Sequence, residues 1–220
     1  MKSAAFTKSY ESNPVLTMPA ADWDPGTIYA VIGPNGSGKS TLAKVFAGVL
    51  KPDQKHSPVT GEQIGYLPQK PYAFRMRVEK DLYLNGSDLQ RSQELLQALS
   101  LYALKRKNAR RLSGGETAKL ALARLLMRDY SVLILDEPTA AMDMESTIAA
   151  ENLIRQYKER TGCTVILITH SLQQARRLAD RVLYLERGQL IESGEAAKML
   201  QTPNKHATRN FLHFYGFDNM

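Results

Sequence analysis

The chain has 220 residues, 43% of them apolar, enough for one substantial core with at most a smaller lobe attached and too few for two large domains. No run of about 18 consecutive apolar residues occurs, which excludes a membrane-spanning helix, and the first six residues lead into polar ones rather than the apolar core of a signal peptide, so the expected location is the cytosol. The formal charge of +7 admits nucleic acid, an anionic membrane surface or a polyanionic ligand and chooses none of them, while the single cysteine, Cys163, lies in an apolar run and is expected to be a small core residue.

In chain order, residues 6–23 carry breakers at Pro14 and Pro19, with short extended pieces between them such as Val15 to Met18, and read as edge strands leading into the core. Tyr10 lies on such a piece, where a ring could stack on an adenine or simply pack at the surface. Thr27 to Ile32 is a short apolar, β-branched segment that reads as a buried strand, and Leu42 to Ala47 reads as the first turns of a helix. Between them stands Gly33-Pro34-Asn35-Gly36-Ser37-Gly38-Lys39-Ser40-Thr41, which fits G-x-x-x-x-G-K-[ST] in the strand–loop–helix context that the motif requires. Its glycines let the backbone curl so that successive N–H groups point at phosphate oxygens, and the helix N-terminus adds partial positive charge. Lys39 would reach the β- and γ-phosphates and the Ser40 hydroxyl would ligate Mg²⁺.

Residues 48–61 are rich in Pro, Lys, Ser and Gly and read as a surface turn region. Gln63 to Leu67 is a short strand stopped by Pro68, which leaves Gln69 at its exit, within reach of a metal ion or of a water beside the γ-phosphate. From Val78 to Arg111 the composition turns helical, with helices expected over 78–84 and 89–101, the second carrying Leu95, Leu96 and Leu99 on one face. This insert ends in a basic run, Lys105 to Arg111, which as a charge run alone is a solvated face or a contact for phosphates or an acidic partner. Leu112-Ser113-Gly114-Gly115-Glu116 follows, with Ser113 as N-cap of a helix expected over 117–127 and two glycines that bare a second set of N–H groups for an anion.

Val132 to Leu135 is a near-continuous apolar strand that ends in Asp136-Glu137-Pro138. Buried parallel strands deliver functional residues at their C-terminal edge. Asp136 fits a Mg²⁺-holding carboxylate, and Glu137 a base that polarises the attacking water. A helix over 144–160 with Gly162 as stop, a strand over 164–169 that ends in His170, a helix over 172–179, a hairpin around Arg187-Gly188-Gln189 and a closing helix near 196–200 complete the chain.

The order of these motifs resembles the ATP-binding cassette (ABC) ATPases over nearly the whole chain. The resemblance assigns Gly33 to Thr41 to the Walker A loop, Gln69 to the Q-loop, Ser113 to Glu116 to the LSGGQ-type signature, and VLILDE at 132–137 to Walker B. Asp143 falls in the D-loop, His170 is the switch histidine, and Tyr10 is the adenine-stacking aromatic. The implied fold is α/β, a RecA-like P-loop NTPase core with an N-terminal antiparallel β region and an inserted helical subdomain. Within a single domain, residues 1–71 and 129–220 would form the core, and 72–128 the helical part ending in the signature helix. ATP and Mg²⁺ are the implied cofactors.

Two cassettes would pair head to tail, the signature of one closing on the ATP of the other. Integral membrane permease subunits and an external solute-binding protein are the further implied partners, with the subunit peripheral on the cytoplasmic face of the membrane. Departures from the pattern are Glu116 for the commoner glutamine, Ala118-Lys119 for the usual Gln-Arg pair, and Ala140 for a small polar residue in the D-loop. A single P-loop and the lack of sustained heptads argue against the translation-factor and chromosome-maintenance members, so no nucleic acid is expected. The ending, SGEAAKMLQTPNKHATRNFL, resembles the tails of bacterial importer subunits, so the implied function is ATP hydrolysis that energises solute import, with an exporter ATPase as the alternative.

Overall fold

The computed structural model describes residues 1–217. In chain order the N-terminal strands are β1 (Lys2–Ser3), β2 (Phe6–Tyr10), β3 (Asn13–Met18) and β4 (Ala21–Asp22), followed by β5 (Ile28–Ile32), α1 (Lys39–Phe46) and β6 (Ile64–Leu67). Next come α2 (Val78–Leu82), α3 (Leu89–Ala98), two short 3₁₀ turns at Tyr102–Leu104 and Ala109–Arg111, and α4 (Gly114–Leu126). The remaining elements are β7 (Val132–Asp136), α5 (Met144–Thr161), β8 (Thr164–Ile168), α6 (Leu172–Leu178), β9 (Arg181–Glu186), β10 (Gln189–Glu195), α7 (Ala196–Gln201) and α8 (His206–Phe214).

Every residue of β5, β7 and β8 is buried, because their unbroken apolar runs serve a sheet covered on both faces. They form the middle of an eight-stranded sheet in the order β2-β3-β10-β9-β5-β8-β7-β6, in which β9, β5, β8, β7 and β6 run parallel. The hairpin β2-β3 extends this sheet through a parallel pairing of β3 with β10, and β1 pairs with β4 as a separate two-stranded ribbon. Period-two alternation sends Val132, Ile134, Ile166 and Ile168 to the face that packs on Leu42, Val45 and Phe46 of α1, and Leu133, Leu135, Val165 and Leu167 to the other. On that second face the sheet and the helical insert share one core, in which Val78, Leu82, Leu95, Leu96 and Leu120 join the strand residues.

The insert is also tied down by ions. Asp81, fully buried, pairs with Arg124 and accepts the Phe74 N–H at 2.8 Å, while Arg124 donates to Tyr72 O at 3.0 Å. Asp129 joins Arg91 of α3 to Arg160 of α5, at 2.9 and 2.8 Å. The helix expected over 89–101 ends at Ala98, where Ser100 takes a left-handed φ of 57° and turns the chain. The basic run folds as turns whose carbonyls hold the start of α2, with Lys107 O accepting Val78 N–H and Lys105 O accepting Glu79 N–H, both at 3.0 Å. The turn region after α1 reaches back to the outermost strand. Thr7 N–H donates to Gln54 Oε1 at 3.2 Å, Ser9 N–H to Asp53 Oδ1 at 3.0 Å, and Asp53 N–H to Thr7 O at 2.9 Å.

Candidate active site

The C-terminal ends of β5, β6, β7 and β8 lie along one edge of the sheet, and there the chain emits the Gly33 loop, Gln69, Asp136-Glu137 and His170. The loop depends on glycine where it passes closest to its neighbour. Gly33 has φ 147°, and a Cβ there would stand 2.0 Å from Leu185 O. Gly38, at φ 100°, is the left-handed N-cap of α1. The loop residues 35–41 close a cavity of about 280 Å³ together with Val15, Gln69 and Glu137.

Lys39 is buried, and its ammonium donates to Gly33 O and Pro34 O, both at 2.8 Å, so the charge is held by the loop's own carbonyls. Burial lowers its pKa, and the carboxylates of Glu137 and Asp136 oppose that shift. Asp136, 1% exposed, has its pKa raised chiefly by burial, and its Oδ1 accepts the Ser40 hydroxyl at 3.2 Å. Its other oxygen, Oδ2, is buried with no hydrogen-bond partner among the described residues. A buried carboxylate with one unpartnered oxygen beside a serine hydroxyl fits Mg²⁺, which takes one or two protein oxygens and completes its shell with phosphate and water.

Glu137 follows the strand in a left-handed conformation, φ 52°, which costs a residue with a Cβ about 1–2 kcal/mol. Its N–H donates to Ile168 O at 2.9 Å, and that turn brings its carboxylate to 3.3 Å from His170 Nδ1. Strain of this kind concentrates at sites where a side chain must be aimed. His170 is 60% exposed and is not among the residues that line the cavity. Tyr10, half exposed beside Lys8 at the end of β2, is not among the residues that line the cavity; Val15 of the same hairpin is.

The second glycine pair sits apart, and none of Ser113 to Glu116 lines that cavity. Ser113 caps α4 in a full capping box, its hydroxyl accepting Glu116 N–H at 3.2 Å while Glu116 Oε2 accepts Ser113 N–H at 2.7 Å. That bond holds the Glu116 carboxyl below its ordinary range. The box explains why α4 begins at Gly114 rather than at Thr117, and why glutamate serves where glutamine is commoner, since both offer the same acceptor. It was readable as S-x-x-E. A Cβ on Gly115 would lie 2.7 Å from Ala141 O, so this glycine packs on the segment before Asp143, whereas a Cβ on Gly114 would meet nothing within 4 Å. Asp143 caps α5 by accepting Ser146 N–H at 2.8 Å, which lowers its pKa.

The family model described as ABC transporter matches residues 19–140, more than half of the chain. The chain belongs to the ABC transporter family. The zinc import ATP-binding protein ZnuC of Chelativorans sp. (strain BNC1) is 38% identical over 185 residues, which cover 81% of this cassette and 64% of that protein. The tungstate uptake system ATP-binding protein TupC of Peptoclostridium acidaminophilum is 36% identical over 201 residues, covering 84% of this cassette and 94% of that protein. A solved ATP binding subunit of an ABC transporter shares the fold with a TM-score of 0.81 over 97% of this chain and 98% of its own, at 22% identity. The α/β P-loop architecture read from the sequence is therefore the one found.

Proposed function

We propose that this cassette hydrolyses ATP with Mg²⁺ and thereby drives solute import through separate membrane subunits. The observation that carries the reading is the convergence at one cavity of the Lys39 cradle, Ser40 and the strained Glu137, with Asp136 behind Ser40 at 3.2 Å and His170 at 3.3 Å from Glu137. The backbone N–H groups of residues 35–41 and the Lys39 ammonium would hold the triphosphate, the lysine exchanging two carbonyls for phosphate oxygens. Mg²⁺, when bound, would neutralise charge on the β- and γ-phosphates. Ser40 and Asp136 would hold it, with Gln69 beside them. Glu137 would take a proton from the attacking water, oriented by His170.

The open face at Gly114 supports pairing with a second cassette, identical or sister, whose phosphates would meet the N–H groups of Gly114 and Gly115. Asp143 would hold the intervening segment in place. Tyr10 would stack on the adenine. A groove of about 440 Å³ beside Gln69, lined by Pro68, Pro71, Tyr72 and Phe74, suits a permease segment. The zinc and tungstate relatives, both named as import or uptake proteins, favour import with an external solute-binding protein. Among the described residues no helix is long and apolar enough to cross a membrane, and we place the subunit on the cytoplasmic face of one.

Glu137→Gln tests the reading. The amide cannot accept a proton, so turnover should fall ~10²–10⁴-fold with ATP still bound. Trapped ATP should also shift the variant to a dimer in analytical ultracentrifugation. Wild-type turnover in this variant would remove Glu137 from the mechanism.

A further inference from the structure

Among the described residues, two side-chain oxygens on the α1 side of the sheet are buried without a hydrogen-bond partner, Asp136 Oδ2 and the Tyr66 hydroxyl. The metal assignment above accounts for the first and leaves the second unused. Tyr66 stands on β6 in register with Ile134 of β7, and Asp136 follows Ile134 by two residues, so Tyr66 and Asp136 leave the same face of the sheet as diagonal neighbours. Such neighbours lie about 7–8 Å apart, within the reach of a tyrosine. The Asp136 carboxylate also acts electrostatically on the phenol.

Packing alone does not explain the residue. The Tyr66 ring rests against the cluster of Phe46, Val132 and Ile134, where phenylalanine would fill the same space without burying an unmatched hydroxyl. The Ser40 hydroxyl now donates to Asp136 Oδ1 at 3.2 Å. A serine that lends a lone pair to the metal keeps its proton for Oδ1, and the carboxylate has lone pairs left for one further donor. We infer that Tyr66 is a positioning residue of the metal site, its hydroxyl donating to the Asp136 carboxylate when Mg²⁺ and ATP are bound. Ligating carboxylates are commonly held by such outer donors, whose loss weakens metal binding by roughly 10–100-fold. The assignment rests on the metal site of the proposed function.

The test is Tyr66→Phe, with Mg²⁺ titrated onto protein saturated with a non-hydrolysable ATP analogue and the melting temperature followed. The variant should need roughly 10-fold more Mg²⁺ for half of the metal-dependent rise. It should bind the analogue as wild type does in EDTA. Its melting temperature without metal should equal or exceed that of wild type, since the hydroxyl has no partner there; a merely structural tyrosine would lower it. An unchanged Mg²⁺ requirement overturns the inference, and so does a variant that melts earlier without metal or fails to fold. Should wild type and Asp136→Asn respond to Mg²⁺ alike, the metal assignment itself falls, and this inference with it.

Discussion

The two glycine-bearing sites to which we assign phosphate contacts differ in what their glycines are for. At Gly33 the reason is internal: the neighbouring strand's carbonyl occupies the place of a side chain, and the loop's charge is already engaged by its own carbonyls. At Gly114 no described residue comes within 4 Å of where a Cβ would stand, and the helix start beneath it is fully capped by Ser113 and Glu116. A glycine without an internal reason, on a site whose local structure is otherwise satisfied, fits the pairing with a second cassette proposed above.

Alanine at each position should separate the two. Gly114→Ala should leave stability within about 0.5 kcal/mol, or raise it slightly, because alanine is the better helix former. It should nevertheless cut ATPase turnover about 10²-fold, the scale of an ångström of misplacement at a reacting centre. Gly33→Ala should instead destabilise the monomer by roughly 2–4 kcal/mol in urea unfolding, from backbone strain and the contact with Leu185 O. If Gly114→Ala unfolds the protein, or Gly33→Ala leaves it as stable as wild type, the contrast is broken.

Smaller effects sharpen it. Glu116→Ala should cost roughly 0.5–1 kcal/mol of stability and Glu116→Gln less than half of that, because the amide oxygen still accepts the Ser113 N–H. Equal losses in thermal melts would show that the charge, not the box, matters. The smallest effect concerns Asp129, which links the insert to the core and whose pKa is held at about 2 by Arg160 and Arg91. The folded value lies below the ordinary carboxylate value of about 3.8, so its stabilisation is complete above pH 4 and is lost as pH falls towards 2. More than half of this side chain is exposed, so the contribution is at most about 0.5 kcal/mol. The urea midpoint of Asp129→Asn should fall less steeply than that of wild type over this window.

Much of this was written in the sequence. Val132 to Leu135 and Thr164 to Ile168 are unbroken apolar runs because both faces of their strands are covered, and the residues that follow them had to emerge at one edge. What was not legible depends on contacts between distant segments. Helix α8 lies beyond the closing helix expected near 196–200, and Glu192 holds its start by accepting the N–H groups of Asn204 and Lys205 at 2.8 and 3.1 Å. The left-handed turn of Glu137 has no local signal, since it is fixed by Ile168 of the neighbouring strand. Tyr66 reads as an ordinary strand residue until its register beside Ile134 is known.

The reach of Asp53 and Gln54 back to β2 bears on how copies of this molecule can meet. The outermost strand of a sheet offers bare N–H and C=O groups to any passing strand, the commonest route to unwanted association. Here Thr7 and Ser9 already spend those groups on the turn that follows α1. At the opposite rim β6 is only four residues long and stops at Pro68, which has no N–H to give. Both rims of the sheet are thus poor templates for strand addition, which leaves loops and helix ends as the surfaces for the pairing proposed above.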